Sequence, residues 1–360
     1  MDFSSVGGTL NNGLGTITPW GTVLVSERIE PQSSLVANPQ DSSRRLFADS
    51  SLQQGRPGWM NQGWMVELDP TNWKVLGKRW AMGRFLHEGC LAMADSKTIY
   101  MADNQAPGAL FKFVADTAGN LRSGHLYAWR EKADSLGRHW VSIHGGRDTL
   151  MHARRHAFAG GASIFMRLED MELLPDGSIL LTESGADSTD LGLAIGLGGQ
   201  VLPHLSKYHL GNNLYDDRHG RILRYNPNTE QITVYLEGGQ ALEDKSIVLS
   251  NPASMALDTK HNMLVIQEDL HGTSAGRVPE RRGASPVSEI YFLKLPDGAA
   301  ALDQLKRFAV IPRGCKSTGA CWSPDYTALF FNIQAGKNPA SPSKSGPTLS
   351  KTVVVTGFPE

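Results

Sequence analysis

The chain has 360 residues, with 35 lysines and arginines against 36 aspartates and glutamates and a formal net charge of −1. This balance excludes a strongly basic nucleic-acid binder and a protein organised around an acidic tail. Hydrophobic residues make up 40% of the sequence and 38 residues are glycine, a composition typical of a soluble globular protein.

Short alternating or β-branched runs recur along the chain, each closed by turn residues such as Pro-Asp-Gly or Asn-Pro-Asn. They predict strands that include 22–26, 64–68, 98–102, 178–182, 231–236, 263–267, 289–293 and 328–333. Helical spacing is found at 148–158 alone. The glycine-rich stretch 191–205 is predicted to be an inserted loop, and 346–360 a terminal strand with a tail.

One phrase repeats three times: an apolar run, a turn with an aspartate, and a strand that ends on a polar residue. The copies run over 173–183, 255–268 and 321–332. Repeated hairpins of this kind with few helices predict an all-β fold, a β-propeller of six blades with five as the alternative count. A β-sandwich is the second choice. We expect one short helix, long inserted loops and a single domain over residues 1–360.

The three cysteines, Cys90, Cys315 and Cys321, form no C-x-x-C pair. Buried free thiols are therefore favoured, and a Cys315–Cys321 disulfide is the alternative in an oxidising compartment. No signal peptide is visible at the start of the chain. No stretch is apolar enough to span a bilayer, so no transmembrane segment is predicted.

Acidic residues stand at the ends of several predicted strands, among them Glu27, Glu88, Asp103 and Glu169. If the inner strand ends of a propeller converge on one channel, these carboxylates come close together and need cations to stay ionised. Hard oxygen ligands suit calcium, and bridging glutamates also suit a transition metal. The alternative is that each acid is a solvated turn residue.

Arg167 precedes Glu169 by two residues on a segment predicted to be extended, so both side chains are expected to face the same way. A guanidinium beside a metal-binding carboxylate is suited to phosphate oxygens. The alternative is an ordinary ion pair. The histidines show no metal signature, since His152 and His156 have the i,i+4 spacing without the glutamate of a zinc protease motif.

Several segments, taken together and in order, resemble the PhoX-type alkaline phosphatases, which are calcium- and iron-dependent β-propeller enzymes. They read Asn-Asn-Gly-Leu-Gly-Thr-Ile-Thr-Pro-Trp-Gly-Thr at 11–22, Gly-Arg-Phe-Leu-His-Glu at 83–88, Tyr-Met-Ala-Asp at 100–103, Leu-Phe-Lys-Phe-Val at 110–114, Phe-Met-Arg-Leu-Glu-Asp at 165–170, Thr-Gly at 318–319 and Phe-Asn-Ile-Gln at 331–334. The resemblance covers nearly the whole chain.

The resemblance implies hydrolysis of phosphomonoesters in a carboxylate-lined central channel. By position, it implies four metal ligands: Glu27, Glu88, Asp103 and Glu169. It makes Arg167 the phosphate-binding residue and, with Glu169, part of the catalytic site. The implied partner is a phosphate ester or phosphate anion rather than a nucleic acid, and the implied location is periplasmic or secreted.

Four departures from the family pattern change the expected metal set. Gly13 stands at the position of an iron-binding cysteine, Arg28 at the second of two paired glutamates, Lys316 at a further glutamate, and Ala335-Gly336-Lys337 at a His-Pro-Gly. Because glycine offers no side-chain ligand, calcium is favoured over iron as the cofactor. The chain also begins almost at the first family motif, which predicts that a blade is missing or built differently.

Two other functions stay open at this point. The departures favour a catalytically degenerate propeller that acts as a binding or structural subunit of a larger assembly with a protein partner. A different calcium-dependent propeller hydrolase, such as a lactonase, would share a carboxylate-lined channel without needing Arg167.

Overall fold

A computed structural model describes residues 1–30, 58–239, 249–269, 287–295, 300, 302–312, 315–335 and 350–358. The chain separates into two compact units, one formed by Met1–Leu168 with Leu191–Leu202 and the other by Glu169–Asp190 with Pro203–Glu360. The single domain over residues 1–360 stays a prediction.

Strands dominate the described residues. In chain order they are β1 (Asn12–Ile17), β2 (Val23–Glu27), β3 (Met65–Asp69), β4 (Lys74–Lys78), β5 (His87–Ala92), β6 (Thr98–Asp103), β7 (Leu110–Thr117), β8 (Asn120–Trp129), β9 (Trp140–Ile143), β10 (Ser163–Ile164), β11 (Leu168–Leu173), β12 (Ile179–Glu183), β13 (Ala186–Asp190), β14 (Gln200–Val201), β15 (His209–Gly211), β16 (Leu214–Asp217), β17 (Arg221–Asn226), β18 (Gln231–Glu237), β19 (Pro252–Asp258), β20 (Met263–Glu268), β21 (Glu289–Lys294), β22 (Leu305–Val310), β23 (Cys315–Trp322), β24 (Ala328–Ala335) and β25 (Lys351–Thr356).

Helices are few and short. The α-helices are α1 (Arg147–Leu150), α2 (Ala153–Ala159) and α3 (Gly192–Leu197), and 3₁₀ turns lie at Ser4–Val6, Gly58–Asn61, Trp80–Met82, Pro203–Tyr208 and Leu302–Gln304. The helical spacing at 148–158 thus corresponds to α1 and α2.

The first unit contains two large antiparallel sheets. One has the order β1-β2-β3-β4 and the other the order β5-β6-β7-β8-β9. Each strand pairs with the next strand along the chain, as in a propeller blade. The short strands β10 and β14 pair in parallel, and β14 belongs to the segment Leu191–Leu202 that returns to this unit.

The second unit contains three large sheets with the orders β11-β12-β17-β18, β19-β20-β21-β22 and β23-β24-β25. A small sheet of β13, β16 and β15 interrupts the first of them. One buried apolar cluster includes Leu180, Ile222, Ile266 and Tyr291, and a second includes Val265, Ile290 and Phe331. Strands of this unit are therefore held by cores that lie between successive sheets.

Within the described residues, six sheets have three to five strands: the five large ones and the small β13-β16-β15 sheet. The number of blades stays a prediction. Each of the eight predicted strands named above coincides with an observed strand, to within two residues at either end. The three copies of the repeated phrase form the hairpins β11–β12, β19–β20 and β23–β24, which are the first two strands of their sheets. The predicted terminal strand is β25.

The prediction of a loop at 191–205 was wrong, and so was the count of one helix. The segment contains α3, in which Ala194 is buried and which packs against α2. Packing therefore outweighs the low helix propensity of its glycines.

The thiols of Cys90, Cys315 and Cys321 are free, as favoured, and Cys321 is exposed rather than buried.

Candidate functional site

Glu27 ends β2 with its side chain fully buried, and its partners belong to the protein itself. Lys78 Nζ lies 2.9 and 3.0 Å from its two carboxylate oxygens. The backbone N–H groups of Leu10 and Trp64 donate to the same carboxylate at 3.2 and 3.1 Å. Burial raises the pKa of Glu27 and lowers the pKa of Lys78. Each charge offsets the burial cost of the other.

Glu88 lies on β5 and is buried, with a guanidinium beside it. Arg28 Nε is 2.5 Å from Glu88 Oε2, and Arg28 Nη2 donates to Asn104 Oδ1 at 3.2 Å. A Cβ atom added at Gly13 would lie 2.9 Å from Glu88 Oε1. Two of the departures from the family pattern, Gly13 and Arg28, are thus neighbours of the same predicted ligand.

Asp103 ends β6 with its side chain fully buried. Arg154 on α2 donates to both of its oxygens, from Nε at 2.6 Å and from Nη2 at 2.7 Å. The third nitrogen, Nη1, donates to Glu30 Oε2 at 2.7 Å. Burial raises the pKa of Asp103. Burial lowers the pKa of Arg154, but the carboxylates of Asp103 and Glu30 outweigh burial and raise it.

Arg167 and Glu169 lie on either side of the division between the units, Arg167 in the first and Glu169 in the second. Glu169 is buried and Arg167 is half-buried. Arg167 has a φ of +65° and its N–H donates to Gln105 O at 3.2 Å. The prediction of an extended backbone at Arg167 was wrong, because a left-handed residue interrupts the alternation of side chains.

The second unit has a pair of the same kind. Lys316, which replaces a family glutamate, lies with Nζ 2.7 Å from Oδ1 of the buried Asp269. A basic side chain again neutralises an acid at the end of a strand.

His87, next to Glu88, is a neutral core residue, because burial lowers its pKa to about 3.

These contacts decide whether the family's metal centre fits the chain. Three of the four predicted ligands, Glu27, Glu88 and Asp103, each have a lysine or arginine within 3 Å. Gly13 offers no sulfur. Among the described residues there is also no group of three or more histidine, cysteine, aspartate or glutamate side chains arranged to hold a metal ion. In this arrangement the residues do not fit the metal centre.

A cavity of about 600 Å³ opens in the first unit beside the Asp103–Arg154 pair. Its polar lining includes Glu30, His152, Arg154 and Arg155, and its apolar lining comes from residues before and on α2 and from α3. The cavity therefore combines basic groups with an apolar wall, which is typical of a site for a small organic anion.

Comparison with known proteins identifies the family to which the chain belongs. The model of the family "Alkaline phosphatase PhoX" matches residues 1–336. The chain belongs to the PhoX family. The structure of Pseudomonas fluorescens PhoX in complex with vanadate, a transition state analogue, aligns with a TM-score of 0.70 and 23% identity over 97% of this chain and 70% of that chain. The fold class is therefore the predicted all-β propeller.

Other similarities are weaker. A gluconolactonase from Xanthomonas campestris aligns with a TM-score of 0.41 and 12% identity over 90% of this chain and 83% of that chain, a level that carries no argument about function. No curated protein sequence matches the chain significantly. Among the described residues, no helix has the length and hydropathy needed to cross a membrane.

Sequence reasoning missed Lys78, Arg154 and Glu30, which surround the predicted ligands. Lys78 closes β4, and Arg154 lies in the one stretch with helical spacing. The helical spacing around Arg154 can be read from the sequence. The sequence does not show that Lys78 pairs with Glu27 or Arg154 with Asp103, each 51 residues away. The position of Arg28, in contrast, followed directly from the family motif.

Proposed function

We propose that this chain is a PhoX-family propeller in which basic side chains replace the family's metal centre, and that it binds phosphomonoesters without metal-dependent hydrolysis. The observation that carries the proposal is the ion pair between Arg28 and Glu88 beside Gly13. A guanidinium within 2.5 Å of the carboxylate neutralises it as a cation would.

The anion is inferred from the family and from the basic lining of the first unit. The Pseudomonas protein was solved with vanadate, and we propose that this chain also recognises a tetrahedral oxyanion. Arg155 is available for this role, since no hydrogen bond or ion pair to its side chain occurs within the described part of the chain. We further propose, from the family alone, a periplasmic or secreted location and no role for nucleic acid.

The second candidate is the phosphomonoesterase predicted from the sequence, with calcium as its metal. The buried carboxylates of Glu27, Glu88, Asp103 and Glu169 favour it, because all four acids of the predicted ligand set are retained. In that case Arg167 would bind the phosphate group.

Metal analysis of the purified protein with a phosphomonoesterase assay separates the two candidates. We expect no stoichiometric iron or calcium, no turnover, and measurable binding of inorganic phosphate. Stoichiometric metal with turnover that is lost in Glu169→Gln and Arg167→Ala would establish the second candidate instead. Failure to bind inorganic phosphate or any phosphomonoester would overturn both.

A restoration experiment tests the same proposal in the opposite direction. The double variant Gly13→Cys, Arg28→Glu returns a thiolate and a carboxylate to the side of Glu88. The new Cβ would lie 2.7 Å from Ser26 Oγ and 2.9 Å from Glu88 Oε1, so both side chains must shift to admit it. We expect this variant to bind transition metal that the natural chain does not retain.

Arg122→Glu is the matched control, since Arg122 is exposed and the change in charge is the same. Circular dichroism verifies that each variant is folded. Equal metal content in the natural chain and the folded double variant would contradict the idea that Arg28 and Gly13 prevent metal binding.

A further inference from the structure

The lining of the cavity in the first unit includes polar side chains that make no other polar contact within the described residues. Three exposed polar residues line it: Gln105, His152 and Arg155. Within the described ranges no hydrogen bond or ion pair engages the side chains of these three residues. Arg154 also lines the cavity, but its three nitrogens are used by Asp103 and Glu30. The groups open to a ligand are therefore a guanidinium, an imidazole and an amide.

Apolar side chains also line the cavity. Leu86, Phe158 and Leu197 line the cavity with apolar side chains. Leu193, also in the lining, leaves 77% of its surface exposed. An exposed leucine next to a cavity wall of this kind gains free energy when a ligand covers it. The wall is therefore suited to an organic group rather than to water alone.

Size and charge together select the ligand. At about 600 Å³ the cavity lies in the range of organic-ligand sites and has room for far more than an inorganic ion. Asp103 and Glu30 neutralise Arg154, which leaves Arg155 as the positive charge of the lining that can face an anion. A ligand with both an anionic group and an apolar group would contact both kinds of lining residue.

We propose that this cavity binds the phosphomonoester of an apolar alcohol, with the phosphate at Arg155 and His152 and the alkyl or aryl group along Leu86, Phe158 and Leu197. This inference rests on the proposed function, because a phosphomonoester is the anion chosen there. It adds the substrate class: an ester whose alcohol is hydrophobic, in preference to a sugar phosphate.

Calorimetric titration with inorganic phosphate and with methyl, butyl and hexyl phosphate tests the assignment. We expect affinity to rise about threefold to fourfold for each added methylene, as expected for burial of a CH₂ group. Leu193 is exposed, so Leu193→Asp should leave the fold intact and reduce that dependence on chain length.

Arg155→Glu should weaken binding of the whole series by at least about tenfold, because it removes a charge-assisted contact and adds repulsion. Arg122→Glu, outside the cavity lining, should change none of the affinities. Equal affinity along the series, with no effect of Leu193→Asp, would overturn the assignment and leave the proposed function standing. No binding of inorganic phosphate or of any ester would overturn the proposed function as well.

Discussion

At the scale of single residues, the first unit is organised by buried charges that neutralise one another. Glu27 and Lys78 both have fully buried side chains, and Asp103 is fully buried against Arg154. Removing one partner of such a pair leaves the other charge buried without a counter-charge, whereas removing both partners is far less costly. The predicted metal ligands are thus parts of the folded scaffold.

Lys78→Met should lower the free energy of unfolding by about 3–5 kcal/mol, because Glu27 would then be a buried carboxylate without a cation. The double variant Glu27→Gln, Lys78→Met should recover most of the loss. Urea unfolding followed by tryptophan fluorescence measures both. If the double variant is as unstable as Lys78→Met, the loss comes from packing rather than from charge.

Alanine substitutions at two glycines with positive φ distinguish the cost of backbone strain alone from the cost of strain combined with a steric clash. A Cβ atom at Gly220 (φ +65°) would lie 2.1 Å from Glu183 O, whereas at Gly137 (φ +75°) no heavy atom of the described chain lies within 4 Å. Gly137→Ala should therefore cost about 1 kcal/mol and Gly220→Ala more than about 3 kcal/mol. Similar losses in thermal unfolding would contradict the geometry around Gly220.

At the scale of elements, the sequence was most informative about hairpins. Each repeated phrase carries an aspartate whose Oδ1 accepts a backbone N–H in the turn, at 3.0 Å for Asp176, 2.9 Å for Asp258 and 3.1 Å for Asp325. These contacts are local, so a short sequence window contains their cause. Strand positions and hairpin pairing could therefore be predicted.

The neutralisation of the candidate site could be predicted only in part. Arg28 and Lys316 were recognised because each departs from a family motif. The pairing of Glu27 with Lys78 and of Asp103 with Arg154 joins residues 51 positions apart, and nothing local in the sequence determines it. The left-handed backbone of Arg167 likewise accompanies a contact that is distant in sequence, since its N–H donates to Gln105 O.

Neighbouring sheets of the second unit are joined by acids that titrate near neutral pH. Asp170 and Glu172 on β11 accept backbone N–H groups of Met255 and Leu257 on β19, at 2.8 and 3.3 Å. Burial, and then the charge of Asp170, raise the pKa of Glu172 from 4.5 to about 8. The folded state therefore binds this proton more tightly than the unfolded state.

The proton on Glu172 stabilises the folded state. This contribution is fully present below pH 4.5 and is lost as pH rises toward 8. We expect the free energy of unfolding to fall between pH 6 and 8, with about 2 kcal/mol of the fall due to Glu172. Glu172→Gln should flatten the profile by that amount, and Asp170 accounts for part of the remaining slope. An unchanged profile in a folded Glu172→Gln variant would show that Glu172 is already ionised at pH 6.

At the scale of the whole molecule, the chain has the fold of the PhoX family, and a lysine or arginine lies beside three of the four predicted metal ligands. A resident metal at a hundredfold excess over its Kd would add about 2.7 kcal/mol to stability. We expect treatment with EDTA to leave the Tm unchanged, because the acids described above are neutralised by lysine and arginine. A fall of several degrees, reversed by calcium, would contradict this expectation.

The segment Leu191–Leu202 belongs to the first unit although it follows part of the second in sequence. It supplies Leu193 and Leu197 to a cavity whose other walls lie between Glu30 and Phe158. During translation, the ribosome must therefore release about forty residues beyond Phe158 before that cavity is complete. A fragment ending at Leu168 would lack both leucines, so the wall they form can be complete only after the chain has passed through the first part of the second unit.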